Sequence, residues 1–225
     1  IVLSDLDIGM NDWMCPDLTW KDKSQPDRGK VLRKADLEKL EQFYRYLDSD
    51  RDAIASRTLP GDDPKGAYFT RGSGHNMYGQ YTEDADEYQQ VVDRLLQKWE
   101  TAKEYVPAPI VEYSKKNSIG IITVGSCDEP VREAIDLLAR EGLGLNYLRI
   151  KAFPFHKDIQ SFIDSHEKVF IIEQNRDAQL CSLIKLELNI NEDRVREILH
   201  YNGLPLNAEF VVDAINQDLD EGVAA

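Results

Sequence analysis

SIGIITVGSCDEPVREAIDLLAREG, residues 118–142, sets a short β-branched apolar run directly before an amphipathic one. Ser118–Gly125 is the length and composition of a buried strand. In the run that follows, Val131, Ala134, Ile135 and Leu138 fall on one helical face, which Gly142 ends. The same alternation continues outward. LNYLRIKAF reads as a second strand, stopped at Pro154, and DIQSFIDSH places Ile159, Phe162 and Ile163 at helical spacing. KVFIIEQ is a third strand and RDAQLCSLIKLEL, from Arg176, a third helix. VREILHY is a weaker fourth strand, and LNAEFVVDAINQDL closes the chain as a helix with Asn207 as its N-cap. Four βα units in succession predict an α/β fold, a parallel sheet with flanking helices.

Upstream the pattern is looser. Ile1–Ser4 reads as a strand, and the absence of an initiator methionine before it suggests a fragment of a longer chain. Residues 11–33 are loop-like, with Trp13, Pro16, Trp20 and Pro26. ADLEKLEQFYRYL predicts a helix with Leu37, Leu40, Phe43 and Leu47 on its apolar face. Residues 48–81 have no long period, and their aromatic residues suggest a loop folded on another surface. EDADEYQQVVDRLLQKWETAKEYV predicts a helix with Tyr88, Val91, Val92, Leu95 and Trp99 inward. The organisation expected is an irregular, partly helical segment over 1–105, a Pro-containing linker over 106–117 and the α/β domain over 118–225.

The net charge of -14 repels polyanions, and no basic track interleaved with aromatics offsets it, so nucleic acid is not an expected partner. No apolar run reaches the roughly 20 residues a membrane helix needs, so no membrane role is expected either. Cys15, Cys127 and Cys181 are far apart, without a CxxC pair, and supply no local zinc or iron-sulfur ligand set. Their odd number and the absence of a signal peptide favour a cytoplasmic setting.

Three polar stretches stand out. YFTRGSGHN could gather backbone N–H groups around an anion beside Arg71, although P-loop and dinucleotide-binding spacings are absent. A local turn with Arg71 and His75 paired nearby is the competing reading. DSDRD, residues 48–52, has the front half of a calcium loop. It lacks the glycine and the glutamate that complete one, since Ala53 and Leu59 stand there, so a solvated acidic helix end is expected and no metal site. VFIIEQNRDAQL delivers Glu173, Gln174, Asn175, Arg176 and Asp177 to the carboxyl end of a strand, where open parallel sheets bind ligands or partners. Local capping and ion pairing compete there too. GSCDEP, residues 125–130, could receive an anion at the start of the helix, but a turn and helix cap is the preferred reading. No catalytic constellation is visible.

LSDLDIGMNDW (3–13), RTLPGDDPKGAYFTRGSGHN (57–76), AFPF (152–155), VFIIEQNRDAQL (169–180) and HYNG (200–203), in this order, resemble the C-terminal part of the α subunit of 2-oxoglutarate:ferredoxin oxidoreductases. The resemblance implies thiamine diphosphate and magnesium in a hetero-oligomeric complex, and an iron-sulfur cluster in a partner β subunit. It also implies ferredoxin as electron acceptor, and coenzyme A and a 2-oxoacid as substrates. Ile1–Ser4 would end the pyrimidine-binding domain and residues 118–225 would be a transketolase C-terminal-like domain, so that this chain alone binds no cofactor and is not catalytic. Arg57, Arg71, Gly72, Ser73, Gly74, His75 and Asn76 would then face the substrate and coenzyme A approach or the subunit interface. A noncatalytic α/β module binding a small anion or a partner protein near Ser126 and Asn175 is the alternative.

Overall fold

The structure, a computed structural model, describes residues 1–12, 14–17, 27–69, 72–114 and 117–223. In chain order the helices are α1 (Leu6–Met10), α2 (Lys34–Leu37), α3 (Ala85–Ala102), α4 (Asp128–Arg140), α5 (Lys157–Asp164), α6 (Gln179–Glu187) and α7 (Ala208–Val223). The strands are β1 (Ile110–Glu112), β2 (Ile119–Val124), β3 (Asn146–Ile150), β4 (Lys168–Glu173) and β5 (Val195–Leu199). The chain divides into two compact units, one of residues 1–16 with 106–225 and the other of residues 17–105. None of the described helices is long and apolar enough to cross a membrane.

The first unit holds the expected sheet, in the order β1-β3-β2-β4-β5. β2 pairs in parallel with both β3 and β4, and β4 with β5. Because consecutive residues of a strand point to opposite faces, the continuous apolar runs fill two cores. Ile121, Phe170, Ile172 and Ile198 pack with Val131, Ala134 and Leu138 of α4 and Val211 and Ile215 of α7. Ile122, Leu148, Val169 and Ile171 pack with Phe162 and Ile163 of α5 and Cys181 and Ile184 of α6. This two-sided burial makes the four βα units legible as runs without polar alternation. At Gly120 a Cβ would lie 2.6 Å from the Phe162 ring, so glycine is what lets α5 seat against the middle of the sheet.

Three local expectations change and a fourth holds. Ile110–Glu112, inside the stretch read as a linker, is a strand, antiparallel to β3 at the sheet edge. Ile1–Ser4 is exposed coil and joins no described strand. The helix expected from Arg176 begins only at Gln179, because Ala178 adopts φ 47, ψ 47 and breaks the helical run. Asn207 does cap α7, accepting from Phe210 N–H at 2.8 Å.

In the second unit, the helix expected over residues 35–47 is a single turn, α2. Lys65 donates to the carbonyls of Leu37 (3.4 Å) and Leu40 (2.8 Å), which ends the turn. Phe43 then buries beside Tyr68. The 48–81 segment packs within its own unit. Thr58 hydroxyl donates to the Gly66 carbonyl at 2.8 Å, and Leu37, Phe43, Ala53 and Val91 form a small buried set. α3, expected over 83–106, spans Ala85–Ala102 with Asp84 as N-cap, and of its expected inward residues only Val91 is buried. Tyr88, Leu95 and Trp99 are exposed.

Candidate functional site

The strand order reverses between β2 and β4, since β3 lies on one side of that pair and β5 on the other. Their carboxyl ends splay apart into a cleft of about 800 Å³, the position at which doubly wound sheets take ligands. Asp5, Ser126, Glu173, Gln174, His200 and Tyr201 are among its lining residues.

Each side chain there is positioned by a local rule. Gly125 turns the chain with φ +60, and a Cβ on it would sit 2.5 Å from the Asp5 carboxylate. Asp5 therefore closes on the peptide, caps α1 through Ile8 N–H (2.8 Å) and accepts from Ser126 N–H at 2.9 Å. An anion of the chain itself thus occupies the amide end of the turn leading into α4. Gln174 donates to Ser126 Oγ at 2.7 Å and accepts from Leu206 N–H at 3.3 Å, tying the end of β2 to the loop before α7. Glu173 is buried and accepts from Asn175 Nδ2 (2.7 Å), Leu180 N–H (2.6 Å) and Cys181 N–H (2.9 Å). It supplies the cap that Ala178 cannot. Asn175 Oδ1 receives Asp177 and Gln179 N–H, both at 3.1 Å. Arg176 and Asp177 form an exposed ion pair. His200, which the sequence placed only within the HYNG stretch and gave no role, is buried and edge-on to Phe210 at 4.9 Å.

The electrostatics follow from burial and hydrogen bonding. Burial, with Asp5 and Glu173 nearby, pushes the Cys127 thiol up to about 12, which makes it an inert buried group. Partial burial works against the charge of Asp5, but the amides of Ile8 and Ser126 outweigh it and lower its pKa. A carboxylate lowered on folding contributes stability above its unfolded pKa of about 4 and loses it as pH falls through the folded value. The Ile8 and Ser126 amide resonances are therefore expected to hold steady from neutral pH to about 4 and to move below it. Asp5→Asn should remove that transition. An acid titration by NMR in which the two amides stay fixed, or in which the variant titrates identically, contradicts the Asp5 contact.

The residues proposed around the glycine loop are placed differently. Arg57 donates Nε and Nη2 to the Arg28 carbonyl, at 3.2 and 2.8 Å. Arg71 lies outside the described residues. Gly72 is open on its Cβ side, whereas a Cβ at Gly74 would lie 3.3 Å from Tyr88. His75 donates Nδ1–H to the Ser73 carbonyl at 3.3 Å and packs against Tyr46 with ring centroids 4.0 Å apart and planes tilted by 38°, leaving Nε2 buried without a partner. Asn76 is buried and accepts from Tyr78 and Gln80 N–H, at 3.0 and 3.1 Å, which holds the 75–81 turn. The structure brings residues 73–76 together as a turn and directs Arg57 to a backbone carbonyl.

Asp48, Asp50 and Asp52 gather their oxygens within 4.8 Å in a turn where a solvated helix end was expected. The cation among them is Lys30, whose ammonium reaches Asp50 (2.6 and 2.8 Å), Asp52 (2.5 Å) and the Ile54 carbonyl (3.0 Å).

No protein-family model matches the chain. Over 202 residues, 88% of its length, it is 25% identical to 2-oxoacid:ferredoxin oxidoreductase 2, subunit alpha, of Aeropyrum pernix. It is 26% identical over 201 residues, 87% of its length, to the 2-oxoacid:ferredoxin oxidoreductase subunit alpha of Saccharolobus solfataricus. The chain spans about a third of these curated relatives, 31% and 30% of their lengths. In fold it is similar, with a TM-score of 0.68 and 23% identity, to the 2-oxoglutarate:ferredoxin oxidoreductase of Magnetococcus marinus, whose structure holds 2-oxoglutarate, coenzyme A and succinyl-CoA. That match covers 87% of this chain and 32% of the other. The chain is thus similar in sequence to α subunits of 2-oxoacid:ferredoxin oxidoreductases, and in fold to an enzyme of that kind.

Proposed function

We propose that this chain is the C-terminal portion of the α subunit of a cytoplasmic, thiamine diphosphate-dependent 2-oxoacid:ferredoxin oxidoreductase, and that it serves mainly as a structural and assembly element. The observation that carries this reading is similarity to two such subunits over 87–88% of the chain. In the complete enzyme a 2-oxoacid, with 2-oxoglutarate the preferred reading, would be oxidatively decarboxylated to its coenzyme A ester while ferredoxin is reduced. Thiamine diphosphate supplies the carbanion-stabilising chemistry when bound.

The described residues of this chain do not fit the cofactors. The three-carboxylate turn is filled by the Lys30 ammonium, and the amide end before α4 by the Asp5 carboxylate. Of the three cysteines, Cys127 and Cys181 are buried with thiols pushed up to about 12, chiefly by burial, which opposes ligation of a cluster. Thiamine diphosphate, magnesium and the iron-sulfur cluster are therefore assigned to other segments and to the β subunit. The glycine loop with Arg71 is left as the approach or interface surface. In the assembled enzyme, Arg71→Ala is expected to weaken coenzyme A or 2-oxoacid kinetics, or subunit assembly. Unchanged values for all three reject that role. The alternative, a free anion held near Ser126 and Asn175, is disfavoured because Asp5 already sits at Ser126.

A further inference from the structure

Within the second unit, the turn over residues 46–51 and the middle of α3 enclose a pocket of about 520 Å³. Arg94 reaches it from α3. One terminal nitrogen donates to the Ala53 carbonyl at 2.9 Å, whereas Nε is buried and has no acceptor. Among the described residues no carboxylate forms an ion pair with this guanidinium. Burial first, and then the neighbouring Arg45, lower its pKa against the opposing pull of Asp48 and Tyr46. Arg94 is half-buried, but its Nε–H is shut off from water, and a buried donor left unmatched costs free energy that native interiors rarely leave uncompensated.

The acids beside it do not supply the match. Asp48 spends its two oxygens on the N–H groups of Arg51 (3.0 Å) and Ala53 (2.8 Å), which close the turn. Asp93 lines the pocket but is exposed, and it makes no described ion pair. Arg51 stands on the same rim in the left-handed region, φ 64, with its guanidinium unpaired among the described residues. Its carbonyl is fixed by Gln97 Nε2 at 3.4 Å. Met77 and Val91 give the pocket an apolar side. Two guanidinium groups that no described carboxylate pairs with border one concavity, one of them with an orphaned buried donor, and they match the planar bidentate recognition of oxyanions.

We propose that this pocket binds a small oxyanion, a carboxylate or phosphate group on a compact apolar body, with Arg94 as its buried donor and Arg51 as its rim cation. The site stands on the geometry of the second unit and does not depend on the enzymatic reading above. The test is an NMR titration of the whole chain with inorganic phosphate and, separately, with acetate, at ionic strength held constant by sodium chloride. The Arg94 Nε–H resonance and the amides of residues 46–51 and 90–97 are expected to shift saturably. The anion that saturates at the lower concentration names the preferred class. Arg94→Gln is expected to weaken binding about tenfold or more, and Arg51→Gln about threefold. Should Arg94→Gln fail to fold, the wild-type Nε–H shift and the Arg51 variant carry the test. Shifts that grow without saturating for both anions, or saturable binding undiminished in the folded variants, overturn the proposal.

Discussion

Asp128→Ala is expected to cost about 2–3 kcal/mol, the upper range for buried hydrogen bonds to a charged group, because its guanidinium partners keep about a third of their surface in water. Asp128 is buried at the start of α4. Its carboxylate accepts from the Tyr147 hydroxyl and from Arg132 Nε (2.9 Å), and meets Arg149 Nη1 at 2.6 Å. Arg132 also reaches both oxygens of Glu112, at 2.8 and 3.1 Å, and lies over the Tyr147 ring at 4.5 Å. The hydroxyl of Tyr147 is 3.0 Å from Thr123 Oγ1. Burial first, then the bond to Asp128, raises the Tyr147 pKa, so the phenol remains the donor. Asp128 thus ties α4 to β3, and through Glu112 and Thr123 the network reaches β1 and β2; deleting it takes the carboxylate from Arg149 and one partner each from Arg132 and the Tyr147 hydroxyl. Asp128→Asn retains the shape without the charge and should fall between wild type and Ala. Urea unfolding followed by circular dichroism checks the order. Loss under about 1 kcal/mol for Asp128→Ala would show that the network is a surface ornament.

Glu173→Ala should lose about 3 kcal/mol, because it leaves two backbone N–H groups at the buried start of α6 without acceptors, at roughly 1–3 kcal/mol each. Glu173→Gln keeps one acceptor oxygen and should lose about half as much. Arg176→Ala and Asp177→Ala, which break only an exposed pair, should stay within about 0.5 kcal/mol of wild type. The same urea series separates these cases. Equal effects at all three positions would mean that residues 173–177 stabilise the fold as one unit instead of as a cap followed by a solvated turn.

This contrast shows where sequence reading succeeded and where it stopped. The β2–α4, β3–α5, β4–α6 and β5–α7 units were legible because strands buried on both faces leave long apolar runs, such as VFII in β4. β1 was not, since three residues beside two prolines carry no period, and their pairing depends on the distant β3. The apolar residues of 35–47 suggested a helix that tertiary contacts override, with Lys65 taking the carbonyls that would continue it. At the strand ends, composition singled out Glu173, Gln174, Asn175, Arg176 and Asp177, and in the structure the bonds of the first three go to backbone amides and to Ser126. Asp5 lies 121 residues from Ser126 in sequence, so no local pattern announces their contact. Arg94 likewise looks like an ordinary polar position on α3 until the turn at 48–53 is folded over it.

The central proposal is that the chain assembles into a 2-oxoacid:ferredoxin oxidoreductase, and native mass spectrometry of the natural protein with the β subunit from the same source tests it most directly. The account predicts a stable complex containing both chains. A β subunit and an α chain that remain separate at micromolar concentrations, each folded, would contradict it.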